Sequence, residues 1–327
     1  GISYSMASAE VTGAEVVEEA WGPLGYMQVV SSRAERTAPG LSSSAPMEAL
    51  PPEQKGLYMD GSKVASVARK LGEEEKAYLE WLLTSVPYRL YEGASPDVLL
   101  VGLGGGEGVA QALHFGAGSV VAADINSVLV DLVTGTFAEE NGGMFQQDDV
   151  TAVVADGRDF STRHPAEFDL VMVSFLDASG LSFPGAKSLS ENYLYTNESV
   201  QQILGALRDD GVAVFSTRVN EPPRGSVRLT ATVVEGMKEV WGIDAARTGV
   251  MYIRSEFHGM TVVKNGGFSD EEVDTISFEG YSRGFTISYF PGMQKEVLED
   301  LAREEEEFWE GLEESQGVDL SAFESDG

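Results

Sequence analysis

Hydrophobic and polar positions along the chain change period near residue 97. Before it, β-rich runs at 15–19 (EVVEE) and 26–30 (YMQVV) flank the turn signal Trp21-Gly22-Pro23-Leu24-Gly25, which predicts a hairpin. Residues 1–15 are small and polar and read as a tail. Residues 37–56 (TAPGLSSSAPMEALPPEQKG) are rich in Pro, Ser and Ala and read as a loop, after which LYMDG (57–61) returns as a short strand and tight turn. These pieces predict a small β-rich N-terminal module. At 73–83, Ala77, Tyr78, Trp81 and Leu82 fall on one face of an expected amphipathic helix.

From residue 97 strand-like and helix-like runs alternate. The continuous apolar run DVLLVGL suits a parallel strand buried on both faces. A helix at 108–115, the strand SVVAADI, a helix at 127–140 with Asn126 as its N-cap, and the strand TAVVADG follow. Next come the strand FDLVMVSF, a helix at 197–207 capped by Thr196, the strand GVAVFSTRV and a helix at 226–240. GVMYIR and MTVVKN then read as a hairpin. DEEVDTIS is a short helix, FTISYF is strand-like, and 295–314 is an acidic helix with Val297, Leu298, Leu301, Phe308, Trp309 and Leu312 as its apolar face. Strands separated by helices imply βαβ units. The expected fold is therefore α/β, a doubly wound, mostly parallel seven-stranded sheet beside the N-terminal module.

Composition narrows the function. The 327 residues are 43% hydrophobic and 23% charged, as in ordinary globular chains, and no run of 18 apolar residues occurs. The first residue is Gly rather than Met, so a processed or excised piece is expected, and no signal-peptide pattern is present. With no cysteine, thiolate nucleophiles, disulfides and Cys-zinc sites are excluded. His114, His164 and His258 stand far apart in no ligand-like spacing, so no metal is expected. A net charge of −31 disfavours a nucleic-acid partner and suits either an adapted surface or a cationic substrate. The run EEEE at 304–307 reads as a solvated helix face.

The stretch VLLVGLGGGEGVAQAL carries the chemistry. A dinucleotide fingerprint begun at Gly102 needs glycine at 107, where Glu107 stands. The spacing Gly102, Gly104, Gly106, Gly108 fits instead the G-x-G-x-G loop of S-adenosylmethionine-binding folds, the class I transferase type. That ligand carries a sulfonium and an amine, so a carboxylate in the loop attracts it. Asp124 ends the second strand of the unit, 20 residues after Gly104, where it can accept two ribose hydroxyls. Asp156 ends the third, beside Gly157, and suits an adenine amino group; Asp177 follows the fourth. Any one of these can equally cap the next turn. Asp159 reads as a partner of Arg158 or a cap. This reading divides the chain into a tail and β module (1–72), a nucleoside-binding α/β domain (73–265) and a C-terminal extension (266–327).

The segments WGPLG, LYMDG, EEKAYLEWL, VGLGGGEG, ADI, ADGRDF, the LD of SFLDASG and SLSENYLYTNES together resemble the spermidine synthase (polyamine aminopropyltransferase) family. The likeness runs from about Trp21 to Asn265. It implies that Glu107 holds the amine of decarboxylated S-adenosylmethionine, that Asp124 binds ribose, that Asp156 and Gly157 face adenine, and that Tyr78 lines a polyamine channel. FHGMTVVKNGGFS and FTISYFPGM are closer to a bacterial subgroup in which such a domain is often fused to membrane segments. A lost membrane portion or a membrane partner is thus kept open, as is a homo-oligomer, with a place in the cytoplasm or on the cytoplasmic face of a membrane.

Two departures bear on turnover. The family's strand-four motif is Asp-x-x-Asp, whose first acid takes the proton from the attacking amine; here the run is Ser174-Phe175-Leu176-Asp177. A serine is no general base at neutral pH without a partner. Asp177, Tyr78 and Ser174 are the candidate catalytic residues, and Glu191, Tyr193 and Tyr195 of ENYLYT a candidate acceptor site or a structural loop. The family's glutamine after the Asp-Gly turn is replaced by Val64. The leading expectation is a transferase using decarboxylated S-adenosylmethionine or S-adenosylmethionine on a small cationic amine. The alternative is a catalytically impaired nucleoside-binding or regulatory domain, or a subunit of a membrane assembly.

Overall fold

The computed structural model describes residues 13–33, 35–173, 195–220 and 223–293. Ser174, Asp177, Glu191, Tyr193 and the acidic stretch 295–314 lie outside the described residues.

The N-terminal module is a four-stranded antiparallel sheet of β1 (Glu15–Gly22), β2 (Gly25–Ser31), β3 (Lys55–Met59) and β4 (Ser62–Val67), paired in sequence order. Asp60 (φ 49°) and Gly61 (φ 82°) are both left-handed in the β3–β4 turn, which suits a tight hairpin. Asp60 also accepts the Tyr26 amide at 2.9 Å, tying that turn to β2.

The main sheet contains β5 (Asp97–Val101), β6 (Ser119–Asp124), β7 (Val150–Val154), β8 (Phe168–Val173), β9 (Leu207–Arg218), β10 (Val250–Arg254), β11 (His258–Lys264) and β12 (Thr286–Tyr289). Their spatial order is β12-β10-β11-β9-β8-β5-β6-β7. The run from β9 to β7 is parallel, and β11, β10 and β12 add an antiparallel flank. The sheet thus has eight strands against the seven expected, because FTISYF pairs with β10. The described helices are α1 (Glu107–His114), α2 (Ser127–Asp131), α3 (Gly157–Arg163), α4 (Asn197–Leu204), α5 (Arg224–Trp241), α6 (Ile243–Thr248) and α7 (Asp270–Ser282). None of them is long and apolar enough to cross a membrane.

Strand alternation sorts the core into two layers. Val98, Leu100, Met172 and Val214 face a cluster shared with Met27, Val29 and Leu57 of the N-terminal sheet. Leu99, Val101, Val171 and Phe215 face the other side, against Val200 and Ile203 of α4 and Val233 of α5. The N-terminal sheet is therefore packed into one layer of the main core.

Two helices depart from their sequence pattern. The stretch expected as one helix at 73–83 forms a 3-10 turn at Glu75–Trp81 and a second 3-10 helix at Leu83–Tyr91. Leu82 between them is extended (ψ 143°) and bridges Leu41, while the Ser42 amide takes the Trp81 carbonyl at 2.9 Å. Tertiary pairing there overrides the apolar period. The helix expected at 127–140 ends as α2 and continues as a π turn over Leu132–Thr136. The Asn141 side chain donates to the Val133 carbonyl at 2.7 Å, and the Phe137 amide bonds five residues back to Leu132. Asn126 and Thr196 do cap their helices, accepting from Leu129 and Ser199 amides at 3.2 Å each.

Candidate functional site

The switch in strand order lies beside β5, and the glycine loop leaves the carboxyl end of that strand, where ligands collect in open α/β sheets. The Gly102 amide donates to the Ala123 carbonyl at 2.8 Å. Gly102, Gly104 and Gly106 are left-handed (φ 98°, 53° and 96°), so the chain turns sharply before α1 begins at Glu107. Gly105 has a different reason. A Cβ there would lie 1.6 Å from the Ser66 carbonyl of β4, and the Gly105 carbonyl accepts the Ala68 amide at 2.8 Å. The loop meets the N-terminal sheet backbone to backbone.

Glu107 opens α1, where the helix dipole favours a carboxylate. Burial pushes its carboxyl up to about 7, opposed by a hydrogen bond from the Tyr78 hydroxyl and by the ammonium of Lys63. Tyr78 is 3% exposed, and its hydroxyl is held protonated, first by burial and then by the Glu107 charge. The fold thus joins two residues 29 positions apart into one hydrogen-bonded pair. Among the described residues no cation forms an ion pair with Glu107.

Asp124 ends β6 and ties the loop down. Its Oδ2 accepts the Leu103 amide at 3.0 Å and its Oδ1 the Asn126 amide at 2.9 Å. Burial raises its pKa against these amides and that of Gly104. With about four acceptor sites on the carboxylate, a position remains for a ligand hydroxyl. Asp156 caps α3 by accepting the Arg158 amide at 2.9 Å, and Arg158 clamps it from the side, Nε to Oδ1 at 3.0 Å and Nη2 to Oδ2 at 2.6 Å. That guanidinium holds the Asp156 carboxyl below its ordinary range. The sequence offers Asp159 as a partner of Arg158 or as a cap, and in the structure Arg158 clamps Asp156. Asp159 bonds Arg163 one turn on, at 2.8 Å. Gly157 packs on β5, where a Cβ would lie 2.4 Å from Val101 Cγ1.

Tyr195 donates to the Ser216 carbonyl at 3.4 Å and packs on the α4–α5 side of the core. The structure adds residues that sequence reasoning passed over. Val154 ends β7 and Ile125 follows the last residue of the adjacent β6; they stay 54% and 52% exposed, giving apolar surface beside Asp156 and Asp124. Their signal was an apolar residue at each strand terminus. His258 opens β11 in register with Arg218 at the carboxyl edge of β9, the strand next to β8. Its place is set by the hairpin return and by nothing near Ser174 in sequence. His114 and His164 instead face Glu80 and Glu167, at 2.6 Å and 2.9 Å. No cluster of three or more acidic or histidine side chains suited to a metal occurs among the described residues.

Comparison with known proteins now decides the family. The spermine/spermidine synthase domain matches residues 75–255, more than half of the chain. The chain belongs to the spermine/spermidine synthase family. It is 29% identical over 202 residues to polyamine aminopropyltransferase 2 of Hyperthermus butylicus, covering 62% of this chain and 60% of that protein. It is 26% identical over 161 residues to polyamine aminopropyltransferase 1 of Pseudomonas aeruginosa, covering 49% and 53%. The chain thus spans between half and three-fifths of these relatives. The spermidine synthase of Thermotoga maritima superposes with a TM-score of 0.53 at 17% identity, over 83% of this chain and 84% of that one. A spermidine synthase bound to the transition state analogue AdoDATO superposes at 0.52 with 15% identity, over 88% and 87%. At such identity the two structures speak for the shared fold.

Proposed function

We propose that this member of the family moves an aminopropyl group from decarboxylated S-adenosylmethionine to a small cationic amine. One observation carries the reading: Glu107 is a half-buried carboxylate at the glycine loop, hydrogen-bonded by Tyr78 and, among the described residues, in no ion pair. A ligand amine there supplies the missing charge. The donor contributes a sulfonium, whose adjacent carbon is open to displacement by an uncharged nitrogen. Glu107 holds the donor amine, Asp124 accepts the ribose hydroxyls, and Ile125 and Val154 offer apolar walls for the base. Gly157 lets the adenine-side turn close on β5, and Asp156 shapes that turn through Arg158. In such a displacement the protein aligns the two reactants and removes a proton from the attacking amine. Asp177 and His258 are the candidates for that proton, and Tyr78, Glu191, Tyr193 and Tyr195 for the acceptor channel. The charge of −31 draws cationic acceptors to the surface. We place this activity in the cytoplasm or at the cytoplasmic face of a membrane, in a homo-oligomer.

Ser174, standing where the family keeps its proton-accepting acid, favours a second reading in which the nucleoside pocket persists without turnover. Titration calorimetry with decarboxylated S-adenosylmethionine and S-adenosylmethionine tests the pocket. Binding is expected, tighter for the decarboxylated donor, and weakened on the order of a hundredfold by Asp124→Ala. No affinity for either nucleoside defeats both readings. Turnover of a polyamine acceptor that falls with Asp177→Asn selects the enzyme.

A further inference from the structure

A second carboxylate lies near this site and belongs to no motif. Glu35 leaves the N-terminal sheet in the segment SSRAERT yet is 5% exposed. It is built in from all sides. The Tyr58 hydroxyl donates to Oε2 at 3.3 Å and the Thr37 hydroxyl to Oε1 at 3.1 Å. The Thr37 amide is in turn tied to the Gln54 side chain at 2.9 Å. The Lys63 ammonium donates to both Glu35 and Thr37. Lys63 sits on β4, the strand that runs over the glycine loop. Ala65, two residues on, would touch a Cβ at Gly104 at 3.8 Å, and the Ser66 carbonyl abuts Gly105. Lys63 also acts electrostatically on Glu107.

A lysine ammonium is a flexible point charge that seeks the nearest carboxylate. Released from Glu35, the Lys63 ammonium, whose charge already acts on Glu107, would compete there with a donor amine. Building on the function proposed above, we infer that Glu35 and Thr37 hold Lys63 near Glu107 but off it, making Glu35 and Lys63 positioning residues for recognition of an amine-bearing donor. The restrained charge favours the ionised form of Glu107 without occupying it. The other groups acting on the pair are Tyr78, bonded to Glu107, and Glu75, whose charge reaches Tyr78.

The full chain and its Glu35→Gln, Lys63→Met and Lys63→Arg variants are titrated with decarboxylated S-adenosylmethionine from pH 6 to 9. Methylthioadenosine, which lacks the amine, is the control. Glu35→Gln frees Lys63 to pair with Glu107. Affinity for the amine-bearing donor is expected to fall on the order of tenfold while that for methylthioadenosine holds. Lys63→Met removes a charge that favours ionised Glu107, so donor binding is expected to need a higher pH, and Lys63→Arg to restore the parent profile. Parallel losses for both ligands would mark a purely structural role and overturn the inference. So would variants that bind the donor as the parent does at every pH. A parent chain that binds neither ligand would defeat the proposed function itself.

Discussion

Carboxylates gather near both ends of strand β5, and they are treated in opposite ways. At its start, Asp97 and Asp169 share Arg208 at 2.7 Å each, and the Ser119 hydroxyl donates to Asp97 at 2.6 Å. Burial there raises the Asp97 pKa, but Ser119 and Arg208 outweigh it and the net shift is downward. At the other end Glu107 and Asp124 are met by a hydroxyl and by amides, and burial wins for both. A buried acid without a cation is destabilising, so folded chains pair their structural acids. Among the described residues, Glu107 and Asp124 at the glycine loop are two acids in no ion pair. Asp156 follows the structural pattern, being clamped by Arg158.

The contrast can be broken most severely at Gly105. Valine there must push the Ser66 carbonyl away, so the N-terminal sheet parts from the loop. A loss of about 3 kcal/mol or more is expected in denaturant unfolding, and an unchanged midpoint would show that the two regions do not meet in this way. Glu107→Gln sharpens the comparison. Between an ordinary value of 4.5 and about 7, folded Glu107 keeps a proton that the unfolded chain has released, so stability declines as pH rises across that window. The variant should match the parent below pH 4.5 and exceed it above pH 7 by roughly 2 kcal/mol, allowing for partial solvent contact, while donor binding is lost. A variant less stable than the parent at pH 8 would contradict this. Arg208→Met should act the other way at the far end. Its side chain is 41% exposed, so about 1 kcal/mol is expected, in a salt-sensitive form and with donor affinity unchanged by calorimetry.

Much of this was legible in the chain. The parallel strands β5, β8 and β9 show as apolar runs because strands buried on both faces leave no polar alternation to confuse. The glycine loop and the acids at strand ends are legible because spacing along one strand–loop–helix unit fixes their geometry. What sequence hid depends on distant pairing. Leu82 reads as the middle of a helix until Leu41 comes alongside it. Asn141 diverts the Val133 carbonyl from eight residues away. Glu107 and Tyr78 were each identified by motif, but nothing local says that they touch. Glu35 gave no signal at all, since a buried acid in a polar loop looks like any surface glutamate until Lys63 and Tyr58 close around it.

The contact between Gly105 and β4 has a consequence for how such a protein can change. It is made by main-chain atoms, so it depends on one missing side chain and on no particular side chain opposite. Side chains of β4, those of Lys63 and Val64 included, can be changed without removing the main-chain contact that seats the loop. The geometry of the glycine loop is thereby insulated from changes in the side chains around it, and those side chains can be varied while the loop keeps its shape.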